Sequence, residues 1–486
     1  MTITPEFYKQ ANEEGTVLSS FSKAWTRSLA YFFSGSYSYK GRYTLNYTMR
    51  YVGTNKLGKS RSSGWLPTWN VSGAWNAHEE KFFQKLMENT NYAISHLTMR
   101  ASYSLTADRG PTWISNALPM YYSINVWRPQ GDQRETALYL DNIGNSDLTY
   151  EKKHEFNLGI DAGFLNNRLN FNFDIYWRNN YDLIGYIETQ GADGFINKMG
   201  NVATMKSNGV EATISSTNIQ TKDWRWTTDF TFSYADNEIT ELESRSNVIS
   251  LVSGSSSTHF RVGYPRDALF SIPFVGLNDE GIPQIINEKG EITTTDINFQ
   301  EYENLDFLKY EGPTEPTITG GLNNLLTWKN WRLNLFLTYS FGNKIRLDPV
   351  FSAAYSDMSA MPKEFKNRWV QPGDENITSV PAIASVRQYQ NDTNLRYAYN
   401  AYNYSSERVA DGGFIRLKNV SLSYDLPKSL ITKIGLTTAS LKLDATNLWL
   451  IYADDKLNGQ DPEFVNSGGV ATPMPKQFTF TVRLGM

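Results

Sequence analysis

Three observations predict an all-β fold for this chain, a transmembrane antiparallel β-barrel. Polar and apolar residues alternate in runs of about ten residues, the length that a tilted strand needs to cross a bilayer. Short turns and long connections alternate between these runs. No stretch reaches the ~18 consecutive apolar residues that a transmembrane helix needs.

The alternation of the first observation is clear in residues 331–341, where Leu333 and Leu335 share one face while Arg332 and Asn334 share the other. Similar runs cover residues 42–50, 168–178, 224–234 and 477–486. One wet and one buried face would also fit a soluble β-sandwich. Two features favour the membrane: aromatic residues stand at the run ends, as interfacial girdles require, and the runs exceed the ~5–6 residues usual in globular strands.

The connections differ systematically between the two ends of the strands. Tight turns occupy residues 38–41, 165–167, 219–223 and 329–330, and long loops span about 106–150, 237–316 and 342–412. With the C-terminus in the periplasm, every tight turn falls inside and every long loop outside, as in bacterial barrels. Two inner connections, 76–95 and 427–438, are longer, and short helices or ordered turns are predicted there.

The strand count sets the predicted organisation. The alternation gives 13 clear strands and a fourteenth near 17–25, so residues 1–28 would be a partial strand with its connection and 29–486 the barrel. The N-terminal MTITPEFYKQ has neither the basic nor the apolar region of a signal peptide. The protein therefore either stays in the cytosol or is the downstream part of a longer precursor.

Composition excludes several classes of function. The 46 basic and 50 acidic residues give a net charge of −4, without the basic excess of a nucleic-acid-binding protein. Cysteine is absent, which excludes disulfides, thiolate metal sites and a cysteine nucleophile. The four histidines form no H-E-x-x-H pattern, and no G-x-S-x-G, P-loop or G-x-G-x-x-G occurs. We therefore predict no catalytic, cofactor-binding or metal-binding residue, no cofactor and no enzyme activity.

One group of oxygen ligands, Asp141, Asn142, Asn145 and Asp147, makes a calcium site conceivable. The spacing does not match an EF-hand loop, and a turn rich in Asx side chains is the better explanation.

Two sets of residues are candidates for contact with a transported molecule. Charged residues on the inner faces of the strands would line the lumen: Arg50, Asp174, Asp229, Arg332 and Arg483. Aromatic residues of the long loops could stack on sugar rings, pack the loops or bind a partner protein: Tyr121, Trp127, Tyr355, Trp369, Tyr389 and Tyr399. The loops are also rich in Asn, Asp, Ser and Gly, which predicts a polar, ligand-facing surface.

Several motifs in order carry a family resemblance: LTMRASYSLTADRG (97–110), NSDLTYEKKHEFNLGIDAGFLNNRLNFNFDIYWRNNYDLI (145–184), NGVEATIS (208–215), GPTEPTITGGLNN (312–324), RWVQPGD (368–374), SSERVADGGFIRLKNVSLSYDLP (405–427), ATNLW (445–449) and GQDPE (459–463). With them the sequence resembles the C-terminal region of the SusC/RagA family of TonB-dependent outer-membrane transporters of Bacteroidetes. The family's R-D-G-S-S-R-F stretch reads RYVGTNKLG here, and its terminal aromatic residue is replaced by Met486.

The resemblance implies a full barrel of about 22 strands with an N-terminal plug and a TonB box. With about 14 strands in the chain, roughly eight strands would be missing, and the signal peptide, the TonB box and the plug are not visible in the sequence.

The implied function is energised import of oligomeric nutrients, glycans or peptides, across the lipid of a Gram-negative outer membrane. A SusD-like surface lipoprotein would close over the barrel, and TonB would act through the plug. Three alternatives stay open: a passive porin-like or binding barrel, a soluble β-rich carbohydrate-binding protein, and a gene fragment without function.

Overall fold

A computed structural model describes residues 27–55, 57, 64–90, 93–110, 119–127, 134–191, 197–254, 259–349, 363–465 and 473–485. No helix within these ranges has the length and hydropathy needed to cross a membrane. Most of the described chain is β-strand.

The described residues contain 22 strands, numbered in chain order. The first ten are β1 (Ser28–Tyr39), β2 (Tyr43–Thr54), β3 (Trp65–Asn76), β4 (Ile94–Asp108), β5 (Met120–Trp127), β6 (Arg134–Asn142), β7 (Glu151–Phe164), β8 (Leu169–Glu188), β9 (Asn197–Gln220) and β10 (Trp224–Leu242). The next twelve are β11 (Ala268–Ser271), β12 (Phe274–Leu277), β13 (Pro283–Ile286), β14 (Ile292–Thr293), β15 (Lys309–Pro313), β16 (Ile318–Trp328), β17 (Trp331–Phe341), β18 (Lys344–Arg346), β19 (Val409–Asp411), β20 (Phe414–Asp425), β21 (Thr438–Tyr452) and β22 (Gln477–Gly485).

The α-helices of the described residues are short. They are α1 (Lys81–Asn89), α2 (Val248–Ser253), α3 (Val386–Asn391), α4 (Leu395–Asn403) and α5 (Lys428–Ile431). Helices α1 and α5 lie in the two longer inner connections, which confirms the prediction of short helices there.

Thirteen strands form one antiparallel sheet, in the order β1–β4, β7–β10, β16, β17 and β20–β22. Because each strand pairs with its neighbour in this order, the sheet is an up-and-down arrangement, and the 13 predicted strands are confirmed. The predicted fourteenth strand lies outside the described residues. Strand β10 continues to Leu242, past residue 237, where the sequence pattern started a loop.

The register separates the two faces of this sheet. One row of directly paired residues runs through Tyr39, Tyr43, Trp75, Met99, Ile160, Phe173, Ala212, Phe232, Gly320, Tyr339, Ile415 and Tyr452. The adjacent row contains Thr44, Arg100, Asp174, Glu211 and Ser233. Since directly paired residues share a face, one face is apolar across the sheet and the other is polar.

The same apolar row shows that the strands are staggered. It begins beside the tight turn between β1 and β2 and ends at the last residue of β21, at the end opposite to the tight turns. A sheet closes into a barrel only when its strands are tilted and staggered in this way. The register therefore agrees with the barrel predicted from the sequence.

Aromatic rings mark both edges of the apolar face. Near the tight turns, Trp224, Trp328, Trp331 and Tyr424 form one register row, and the Trp224 and Trp328 ring centroids are 5.6 Å apart. Near the opposite edge, Phe156 stacks on Trp177 at 5.9 Å. Two such belts are typical of a membrane barrel.

The second and third long loops fold together into what we call the outer-loop unit, the described residues of 243–317, 344–349 and 363–411. Its core contains Phe270, Ile272 and Ile285, which are fully buried, with Ala401 of α4 packed against them. The two loops are joined by hydrogen bonds from Ile272 N to Tyr404 O and from Ser406 N to Ile272 O, each 3.0 Å long. The apolar core was not among the features predicted from the loop sequences.

Candidate functional site

The structure places all five predicted lumen residues on the polar face of the sheet. They are Arg50 on β2, Asp174 on β8, Asp229 on β10, Arg332 on β17 and Arg483 on β22. Asp229 accepts a hydrogen bond from Ser215 (2.7 Å), and Arg332 pairs with Asp425 (2.6 Å). This face therefore carries charged and hydroxyl groups on several strands.

One charge network on this face centres on Arg100 of β4, which the sequence patterns did not single out. Its guanidinium binds Asp161 through Nε at 2.8 Å and Asp174 through Nη2 at 3.1 Å. Asn172 also donates to the Asp161 carboxylate. Because the network joins side chains of three strands, only the register brings it together.

Gly159 on β7 leaves the space that this network occupies. A Cβ added there would lie 2.5 Å from Asp174 Oδ1 and 2.9 Å from the Arg100 guanidinium. Any larger residue would therefore push the arginine and the aspartate apart.

The predicted loop aromatics have different environments. Tyr399 is 1% exposed and donates its hydroxyl to Ala382 O (2.9 Å), so it packs the outer-loop unit. Tyr389 is half-buried against the same cluster. Trp369 is half-buried and donates to Glu375 (3.0 Å).

Two other loop aromatics lie in the hairpin of β5 and β6, and one is not described. Tyr121 is 61% exposed. Trp127 ends β5, with its backbone opposite Arg134. Tyr355 lies outside the described residues. Tyr121 is thus the member of the set that the structure shows open to a ligand.

Buried arginines join separate segments of the outer connections. Arg408 pairs with Glu364 and donates to Asp348 O at 2.6 Å. Arg416 binds Asp461 at 2.5 Å and Glu463 at 2.9 Å. Burial lowers the pKa of Arg346 to about 10, which leaves this guanidinium charged at neutral pH.

Of the conceivable calcium ligands, Asp141 and Asn142 lie at the end of β6, and Asn145 and Asp147 lie in the turn that follows. Asn145 Oδ1 accepts from Asp147 N (3.0 Å), and Asn145 Nδ2 donates to Met199 O (2.9 Å). The first contact is that of an Asx turn, and the second ties this turn to β9. Among the described residues, no group of three or more His, Asp or Glu side chains could hold a metal ion.

Comparison with known proteins identifies the family to which this architecture belongs. The family model described as "TonB dependent receptor-like, beta-barrel" matches residues 7–448. TonB-dependent receptor P3 of Formosa agariphila is 28% identical over 454 residues, which cover 88% of this chain and 41% of that protein. TonB-dependent receptor SusC of Bacteroides thetaiotaomicron is 25% identical over 476 residues, covering 94% and 43%. The chain thus spans less than half the length of these relatives.

A solved structure shows the same fold. The structure of the RagAB peptide transporter superposes with a TM-score of 0.74 at 24% sequence identity, covering 94% of this chain and 48% of that one. These relatives belong to a family of transporters and receptors of the outer membrane and not to an enzyme family. The chain belongs to the TonB-dependent receptor β-barrel family, and within that family it is similar to SusC and RagA.

Proposed function

We propose that this chain forms the barrel part of a SusC-like TonB-dependent transporter that imports oligomeric nutrients, glycans or peptides. The observation that carries the proposal is the combination of an apolar outer face, a charged inner face and a folded outer-loop unit. A polar inner surface gives a hydrated path for polar oligomers. Residues 29–486 would form the barrel wall, and the charged residues from Arg50 to Arg483 would line its path.

A SusD-like lipoprotein is the proposed outer partner. The outer-loop unit presents exposed apolar side chains, including Val370 (65% exposed) and Ile377 (82% exposed). Contiguous patches of exposed apolar side chains are typical of protein–protein contacts, and Val370 and Ile377 would be part of such a patch. Tyr121 and the neighbouring loop aromatics would contact the substrate beneath that partner.

TonB is the proposed energy source, acting through a plug. The relatives are more than twice as long as the matched region, which leaves room for a plug and for further strands in a protein of this kind. A passive barrel is the competing function.

An uptake assay separates these two functions. We expect inactivation of the gene to abolish growth on one oligomeric nutrient, tested with a panel of oligosaccharides and peptides. Inactivation of TonB should have the same effect, because the import is energised. Uptake that continues without TonB would instead establish a passive barrel.

The partner is tested by co-purification. Ile377→Asp should lower the recovery of the lipoprotein at least several-fold, because a carboxylate is costly to bury in an apolar contact. Leu165→Asp is the matched control, since Leu165 is exposed in a tight turn at the opposite end of the barrel. Equal recovery with both variants would contradict a lipoprotein contact at Ile377.

A further inference from the structure

A cavity of about 280 Å³ lies beside the outer ends of β2, β3 and β4, on the polar face of the sheet. Its polar wall contains Arg50, Thr54, Thr68, Asp108, Arg109 and Tyr150. The volume is at the lower limit of small-molecule sites. The cavity can therefore hold one unit of an oligomeric substrate and not the whole oligomer.

Tyr150 is the unusual residue of this wall. Its side chain is 4% exposed, and its ring packs with Leu57, Leu148 and Met199. The hydroxyl is buried and has no hydrogen-bond partner among the described residues. A buried hydroxyl without a partner is costly, so this group is available to donate a hydrogen bond to a ligand in the cavity.

Two guanidinium groups act on the same hydroxyl. Burial raises the pKa of Tyr150, while the nearby charges of Arg109 and Arg50 lower it in part. The phenol therefore stays protonated at neutral pH and can donate its proton. Arginine can only donate hydrogen bonds, so the three groups together offer donors to one acceptor.

The charges of the wall favour an anion. The wall contains two arginines and one carboxylate, Asp108, which already accepts a hydrogen bond from Gly110 N (3.2 Å). Guanidinium groups bind carboxylates through paired, charge-assisted hydrogen bonds. The positive excess and the free phenol donor thus match a carboxylate better than a neutral sugar hydroxyl or amide.

We propose that Arg50, Arg109 and Tyr150 form a subsite for a carboxylate carried by the imported oligomer. The inference rests on the proposed import function and adds to it the class of substrate, an acidic oligomer. An acidic sugar and an acidic peptide present the same carboxylate, and the experiment separates the two sources.

The test is calorimetric titration of the full protein, purified from the outer membrane, with digalacturonate and with the dipeptide Glu-Glu. Neutral digalactose and Gln-Gln are the matched ligands. We expect one acidic probe to bind about tenfold more tightly than its neutral counterpart, as loss of a charge-assisted contact predicts. Added salt should reduce this preference.

Three variants locate the preference. Arg50→Gln and Arg109→Gln should each remove most of it, and Tyr150→Phe should weaken acidic binding several-fold while keeping the ring in its apolar cluster. Arg225→Gln is the control. Arg225 is exposed near the start of β10, at the end of the sheet opposite to the cavity, so this variant should bind the probes like the unchanged protein. Heat-modifiable migration of each variant shows that its barrel is folded.

Other outcomes overturn the subsite. Equal binding of acidic and neutral probes would do so, as would a preference that survives in both arginine variants. Binding of acetate without binding of either acidic probe would show an adventitious ion only. Because calorimetry needs no uptake, failure of the subsite is distinct from failure of import, which the gene inactivation tests.

Discussion

At the scale of single residues, the Arg100 network shows how charges are tolerated within the barrel wall. Arg100 lies between Asp161 and Asp174, and all three side chains are partly shielded from solvent. Two carboxylates this close repel each other unless a cation separates them. The arginine is therefore the residue on which the pair of acids depends.

Replacement of this arginine gives a stability prediction. Arg100→Gln should lower the free energy of unfolding by about 1–2 kcal/mol, because it leaves two carboxylates without their counter-ion. Adding Asp174→Asn should restore part of the loss, since one of the repelling charges disappears. Urea denaturation of the folded barrel, followed by heat-modifiable migration, measures both effects.

Arg332→Gln is the control for this prediction. The side chains of Arg332 and Asp425 are each 47% exposed, and ion pairs so exposed contribute little to stability. A loss as large as that of Arg100→Gln would show that burial is not what makes the Arg100 network important.

At the scale of elements, the outer-loop unit behaves as a small domain with its own core. Phe270 of β11 is fully buried in that core, and its ring contacts Tyr264 edge-on at 4.9 Å. The barrel strands take no part in this cluster. The unit should therefore lose its structure without loss of the barrel.

Phe270→Ala tests this separation. The change should destabilise the outer-loop unit by about 3–5 kcal/mol, the usual cost of removing a buried aromatic ring. Limited proteolysis should then cut within residues 243–317, while heat-modifiable migration of the barrel persists. Val275→Ala, at an exposed position of β12, should leave the protease pattern unchanged. Loss of the barrel in Phe270→Ala would contradict the independence of the two parts.

The elements also show what the sequence could and could not predict. The alternation of Leu333, Leu335 and Arg332 is local, so it gave both the strand and the faces of β17. The core of the outer-loop unit joins Phe270 and Ala401 across 131 positions of sequence, and no local period marks such residues. The sequence of the long loops therefore indicated only their polar composition and not this core.

Likewise, only part of the candidate site could be predicted from the sequence. Arg50 was predicted to face the lumen because it belongs to an alternating run. Arg109 and Tyr150 follow or precede strands, where the period no longer says which way a side chain points, and only the folded sheet brings them to Arg50. The LTADRG and LTYE motifs contain both residues, which was the one signal available.

At the scale of the whole molecule, the two faces of the sheet predict two environments. Leu335 of β17 belongs to the apolar face and Asn334 to the polar one. The chain has no cysteine, so single-cysteine variants can be labelled at one position.

Spin labels at these neighbouring positions test the orientation of the whole barrel in lipid. A label at Leu335→Cys should collide more often with oxygen, which concentrates in lipid, and one at Asn334→Cys more often with a water-soluble nickel complex. This alternation should repeat through residues 332–337. A chain that is water-soluble on both faces would give the same nickel accessibility at both positions.

The hydrogen bonds that join the two loops of the outer-loop unit affect how the protein assembles. Phe274 N donates to Ser406 Oγ across 132 positions of sequence, and the hairpin of β16 and β17 lies between these two residues in the chain. Contacts so distant in sequence form slowly. The unit should therefore close only after residue 406 has crossed the membrane, and the closed unit should hinder the hairpin from moving back toward the periplasm. Assembly of this protein should thus become irreversible late, on the outer side of the membrane.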